Sequence, residues 1–197
     1  MTVRVILVSP AHSVALERSA FDDGLPLTER GRAAAAAARF AGLVHPPRRG
    51  RVLLSPSVRC HETAEALGLD GSPDVSFAGQ SVGDWRGRAL DELTATEPEA
   101  VRRWLEDPGY VPPGGEPLDA LIRRVGAGLT GLAAGEEATA GRRHVLVVEP
   151  DAVRAAVVHA LRLPAAAFWR LDVRPLSVTD LSGRSGRWNL RLGNAED

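Results

Sequence analysis

Apolar residues in this chain come as short unbroken runs separated by longer stretches of helical period. Residues 3–8 are almost wholly Val, Ile and Leu without a helical repeat, and Ser9-Pro10 ends the run. That pattern reads as a short strand buried on both faces. Residues 51–54 form a second such run, and His144 to Val148 is the most hydrophobic one. Between these runs lie helical patterns. An alanine-dense helix covers 28–43 with Thr28 as N-cap, and another covers 57–67 and closes at Gly68. A helix runs from Glu97 to Leu105, and an amphipathic one covers 118–134. Glu149-Pro150-Asp151 opens a helix through Leu161, with Pro150 suited to its first turn. Residues 73–95 read as irregular and Pro108 to Pro117 as a loop. Residues 170–181 and 187–192 are expected as closing strands around a Ser-Gly-Arg-Ser-Gly turn.

This alternation of strands and helices predicts an α/β fold, a three-layer α/β/α sandwich with a mostly parallel central sheet. The 197 residues suit a single domain over 1–197, with about 73–117 as an insertion over the pocket. In such sheets ligands sit outside the carboxyl ends of the strands. Ser9 to Ser13, Ser55 to Arg59, and Glu149 to Asp151 fall there, which points to one pocket.

Composition narrows the partners. A formal net charge of −1 offers no bulk field for nucleic acid or a lipid surface. No apolar run approaches the roughly 20 residues that span a bilayer, and the N-terminus reads as a strand rather than a signal peptide. Cys60 is the only cysteine, so no internal disulfide forms, which suits a cytoplasmic location. All 24 basic side chains other than histidine are arginine, which excludes Schiff-base chemistry through a lysine amine.

Five segments, in order, resemble motifs of the histidine phosphatase (phosphoglycerate-mutase-like) family. Leu25-Pro26-Leu27-Thr28-Glu29-Arg30-Gly31 is similar to the Pro-Leu-Thr-x-x-Gly that opens the family's first long helix. Ser55 to Ala64, with Arg59 and Thr63, resembles its Ser-x-x-x-Arg-x-x-x-Thr-Ala. Gly83-Asp84-Trp85-Arg86-Gly87 resembles Gly-x-Trp-x-Gly, and Gly114-Gly115-Glu116-Pro117 resembles Gly-Gly-Glu-Ser. Val153-Arg154 matches the end of His-Gly-Gly-Val-Ile-Arg. The resemblance implies a phosphoglycerate-mutase-like fold over nearly the whole chain.

The departures fall on the chemistry. The family's first strand ends Arg-His-Gly, with the histidine phosphorylated in turnover; here it ends Ser9-Pro10-Ala11. Counting back from Arg154, the second histidine's position holds Glu149, and a shift of one residue would place Pro150 there instead. Gly79 stands where the family usually has an acid, and Arg59 is what clearly survives of the core set. Proline has no side-chain lone pair for attack. Like charges about 4 Å apart repel by about 4 kcal/mol at an effective dielectric of 20, so Glu149 opposes a phosphate dianion.

Glu149, Arg59 and His12 are the candidate catalytic residues; Ser9, Ser13, Ser55, Trp85, Glu116 and Asp151 are candidate ligand contacts. Glu149 reads either as a helix start that pairs with Arg59 and fills the old phosphate pocket, or as a general acid–base. His12 is placed in the loop above the site. His61, a step of about 200° round the helix from Arg59, faces away. His45 and His144 read as surface features, and His159 as a partner of its helix end. Trp85 is expected to line a wall, while Trp104, Trp169 and Trp188 read as core. A metal held by His12, Glu149 and Asp151 has no recognised spacing, so no metal or cofactor is expected. Three functions stay open: a repurposed small-molecule enzyme of metabolism or biosynthesis, a non-catalytic pseudoenzyme binding a metabolite or protein, and a residual phosphatase. The expected ligand is a small molecule other than a phosphate dianion, with no nucleic acid or membrane partner. The oligomeric state is not legible.

Overall fold

A computed structural model describes residues 2–134, 141–184 and 186–192. Its strands are β1 (Val3–Val8), β2 (Val52–Leu54), β3 (Ser72–Pro73), β4 (Arg143–Val147), β5 (Val178–Arg184) and β6 (Arg187–Arg191). Its α-helices are α1 (Val14–Glu17), α2 (Glu29–Phe40), α3 (Val58–Leu67), α4 (Leu90–Thr96), α5 (Pro98–Glu106), α6 (Leu118–Ala134) and α7 (Pro150–Leu161).

The six strands form one mixed sheet in the order β3-β2-β4-β1-β5-β6. Pairings from β3 to β1 are parallel, and β5 and β6 join antiparallel. Neighbouring side chains of a strand point to opposite faces, so a strand covered on both sides is apolar at nearly every position. In β1, Val5 and Leu7 join a core with Leu121, Val125, Ala152 and Ala156 of α6 and α7. Ile6 and Val8 face the other way, toward Cys60, Ala64 and Leu67 of α3. Helices therefore cover both faces of the sheet. No helix among the described residues is long and apolar enough to cross a membrane.

Local rules account for most boundaries. The Thr28 side chain accepts from Gly31 N and caps α2, and Gly68, with φ of 70°, closes α3. Two segments and one residue differ from the sequence reading. Residues 90–96 are helical although 73–95 read as irregular. α4 has no side-chain cap and buries only Leu93, too short a pattern to show a period. The first closing strand begins at Val178 rather than 170. Ala165–Arg170 is a 3-10 helix that buries Phe168, and the chain then passes Pro175, which has no N–H, and Leu176, at φ of 58°. His144 is fully buried rather than on the surface, with Nδ1 accepting from Arg51 N at 3.2 Å. Ser185 of the expected closing turn lies outside the described residues.

The loop after β1 is pinned to α2 by backbone contact. Thr28 donates to the His12 carbonyl from both N and Oγ1, at 3.0 and 3.2 Å. A Cβ on Gly31 would stand 2.0 Å from that same oxygen. Gly31→Ala is accordingly expected to destabilise the protein by about 1–3 kcal/mol, read as a lower urea midpoint at unchanged m-value; an unaltered midpoint would show that the loop yields freely.

Candidate functional site

β2 and β4 are adjacent and parallel, so the segments leaving their carboxyl ends emerge side by side. Ser55 N donates to Val147 O at 2.9 Å, which locks the two exits together. Ser57 caps α3, its hydroxyl accepting from Cys60 N, and this cap fixes the helix turn that carries Arg59. Glu149 occupies the N-cap position of α7, just before Pro150. Arg59 Nε donates to Glu149 Oε1 at 3.0 Å, and Arg59 Nη2 forms an ion pair with Oε2. The side chains are 15% and 6% exposed, so the pair is shielded from water. Arg59 Nη1 donates to Ser13 Oγ at 3.4 Å, and Asp22 Oδ1 stands 3.8 Å from Arg59 Nε. The Cys60 thiol lies 3.6 Å from Glu149 Oε1.

Burial and pairing oppose one another here. Burial raises the Glu149 carboxyl above the ordinary glutamate range; Arg59 counters this in part, while Asp151 adds to the rise. Burial alone would weaken the charge on Arg59, but Glu149 more than offsets it and holds the guanidinium firmly protonated. The Cys60 thiol is pushed up by burial and then by Glu149, so it stays a neutral, packed side chain.

A second ring of contacts fixes the segment facing this pair. A Cβ on Gly79 would lie 3.0 Å from Glu149 Cγ and 3.2 Å from both Asp151 oxygens. A larger residue at 79 would therefore meet two carboxylate side chains. Asp151 Oδ2 accepts from Gln80 N at 2.6 Å, and Oδ1 from Ala152 N at 2.7 Å. Arg124 donates to the carbonyls of Val75, Ser76, Ala78 and Gly79 and pairs with Glu116 at 2.5 Å. Glu116 also accepts from Ser81 N.

These elements enclose a cavity of about 710 Å³. Ser55, Arg59, Glu149 and Asp151 line it, as do Asp22, Arg86 and Arg154. Its apolar wall includes Phe21, Trp104, Phe168 and Trp169. Other candidates from the sequence stand elsewhere. Ser9 is fully buried, its hydroxyl donating to Arg174 O at 2.5 Å, which ties the end of β1 to the segment before β5. His12 is not on the cavity wall; its Nδ1 is 3.9 Å from Glu17 Oε1. Ser13 caps α1 and touches Arg59 from behind, and Glu116 braces Arg124. Trp85, 1% exposed, packs behind the wall against Trp104 and donates to Glu97. Thus Trp104 and Trp169 line the cavity, and Trp85 supports them. His61 is exposed on the outer face of α3. His159 packs on α6, where a Cβ on Gly126 would meet its Nδ1 at 2.2 Å. Among the described residues no group of three or more His, Cys, Asp or Glu could hold a metal ion, and His12, Glu149 and Asp151 do not form one.

Asp22, Arg86, Trp104 and Trp169 carried no sequence signal for this site. Asp22 and Arg86 lie in irregular segments, and the two tryptophans were indistinguishable from core. Arg154 ended a quoted motif; its Nε donates to Leu171 O at 2.7 Å and its guanidinium lies 5.6 Å from the Phe168 ring centre.

Comparison with known proteins places this architecture. A model of the Histidine phosphatase superfamily (branch 1) matches residues 16–196. The chain is 31% identical over 170 residues to a bifunctional protein of Mycobacterium tuberculosis, covering 83% of this chain and 44% of that protein. It thus spans less than half the length of that relative. It is also 31% identical over 188 residues to the glucosyl-3-phosphoglycerate phosphatase of Mycobacterium tuberculosis, covering 86% of this chain and 83% of that one. Among solved structures it is similar to mycobacterial hydrolase 1, with a TM-score of 0.84, 27% identity and full coverage of both chains. A putative alpha-ribazole-5'-P phosphatase from Escherichia coli shares the fold at a TM-score of 0.83 and 22% identity, covering 98% of this chain and 96% of that one. The chain belongs to the histidine phosphatase superfamily, branch 1.

Proposed function

We propose that this member of the superfamily does not perform phosphohistidine chemistry and instead acts on a small molecule lacking a phosphate dianion. In this reading Glu149 exchanges a proton with the ligand, and Arg59 holds its charge between turnovers. The observation that supports it most is the buried Arg59–Glu149 pair, because a carboxylate already occupies the guanidinium donors that would hold a phosphate. A phosphate dianion entering there would meet Glu149, and like charges about 4 Å apart cost about 4 kcal/mol, roughly a thousandfold in affinity. Aligned with the family motifs, Pro10 stands at the first histidine position and Glu149 at the second. Neither supplies the nucleophilic nitrogen that the family's mechanism uses. The relative named as a glucosyl-3-phosphoglycerate phosphatase would point to a phosphate ester; this carboxylate is the reason for departing from it. A metabolic or biosynthetic role inside the cytoplasm belongs to the same proposal, and the free, buried Cys60 is compatible with it.

A second reading has its own support. Arg59 engages both Glu149 oxygens, which favours a closed site that binds a ligand without turnover. The readings part at Glu149→Gln: abolished turnover of a substrate with ligand affinity kept supports the enzyme, and unchanged turnover removes Glu149 from the chemistry.

p-Nitrophenyl phosphate is expected to be hydrolysed no faster by the wild type than by Arg59→Ala; phosphate release that Arg59→Ala abolishes would overturn the proposal. A pH series separately tests the state of Glu149. A carboxyl whose folded pKa is raised binds its proton more tightly in the native state, so stability falls as pH rises from the ordinary value of 4.5 through the folded one. Urea unfolding should therefore show wild type losing stability relative to Glu149→Gln across that window, whereas a relative gain would mean that the attraction of Arg59 outweighs burial.

A further inference from the structure

The cavity carries polar groups that the Arg59–Glu149 pair leaves unused. Asp22 lines it, and its Oδ1 is shielded from solvent yet accepts no hydrogen bond among the described residues. Arg59 Nε is 3.8 Å from that oxygen and already donates to Glu149. The other carboxylates of the wall are committed, Glu149 to Arg59 and Asp151 to the N–H groups of Gln80 and Ala152. Trp104, 8% exposed, lines the same cavity, and its indole N–H finds no acceptor among the described residues. The two sites are neighbours, since the Phe21 ring meets Trp104 edge-on at 5.5 Å and Asp22 follows Phe21 in the chain. Trp169 extends the aromatic wall, 4.6 Å from Trp104. Of the cations, Arg154 donates to Leu171 O, while Arg86 makes no ion pair among the described residues.

A shielded acceptor and a shielded donor without partners both cost free energy, and a molecule supplying the complementary groups relieves both. We propose that the cavity takes an amine-bearing zwitterion with an apolar or aromatic body, its ammonium on Asp22 and its acceptor oxygen on the indole N–H of Trp104. The body lies against Trp104 and Trp169, where aromatic faces also favour a cation. Arg86, which also lines the cavity, adds a positive charge to its wall. This identification rests on the non-phosphate reading of the site.

The test is calorimetric titration of the intact protein with phenylalanine, phenethylamine, 3-phenylpropanoate and phenyl phosphate, which share a phenyl body and differ in polar groups. Phenylalanine should bind tightest, with phenethylamine next and 3-phenylpropanoate at least about tenfold weaker than phenylalanine. Asp22→Asn should weaken phenylalanine and phenethylamine by about tenfold or more. Trp104→Phe keeps a ring and removes the N–H, so it should weaken phenylalanine and spare phenethylamine. Melting of each unliganded variant, followed by circular dichroism, confirms that it is folded. Preference for 3-phenylpropanoate, no loss in Asp22→Asn, or no binding of either amine overturns this proposal and leaves the non-phosphate reading standing. Phenyl phosphate binding more tightly than phenylalanine overturns both.

Discussion

The buried ion pair between Arg59 and Glu149 is the constraint around which the site is arranged. Removing two charges from water costs several kcal/mol per ion, repaid only when each has its partner in good geometry. The sheet provides that geometry: β2 and β4 are neighbours in register, with Leu54 opposite Val147, so Arg59 and Glu149 leave from adjacent strand ends. The space taken by Glu149 then dictates what approaches it. A side chain at 79 would press on Glu149 and Asp151, which would have to give by a few tenths of an ångström, and Asp151 in turn holds the amide of Gln80. An acid at 79 would place a third carboxylate against the first two.

Around this polar centre the segment between β3 and α6 builds a separate apolar cluster. Val82, Trp85, Leu93, Val101 and Trp104 pack together, with Phe21 and Trp169 joining from outside. Trp85 is anchored through its indole to Glu97, and Glu97 is held by Arg88. The aromatic wall of the cavity is therefore rigid on its far side, and its near side presents ring surface beside Asp22. In the proposed function the fold is that of the superfamily while the polar groups of the cavity select a ligand other than a phosphate ester.

The strands β1, β2 and β4 and the starts of α2, α3 and α7 were legible in the sequence. A strand covered on both faces must be apolar at nearly every position, and Ser57, Thr28 and Pro150 act on residues only a few places away. The pairing of Arg59 with Glu149 was also open to inference, because both lie at strand ends that a parallel sheet gathers together. Trp85 was expected on the cavity wall and Trp104 in the core, and the packing reverses the two. Both are tryptophans in one insertion, and only the packing of Phe21 against them decides which ring faces the cavity. His144, expected at the surface, is fully buried and accepts from Arg51 N, 93 residues away, and Ser9 turned from the cavity toward Arg174, 165 residues away.

The residues by themselves determined the layered α/β architecture and placed an acid, Glu149, at the start of α7, since period, capping and residue type are properties of the chain read locally. The tertiary structure alone decided that Gly79 packs closely on Glu149 and Asp151, that His12 stands off the cavity wall, and that Asp22 and Trp104 both line it. Each of those depends on where a side chain points after distant segments have packed, and no local pattern records that direction.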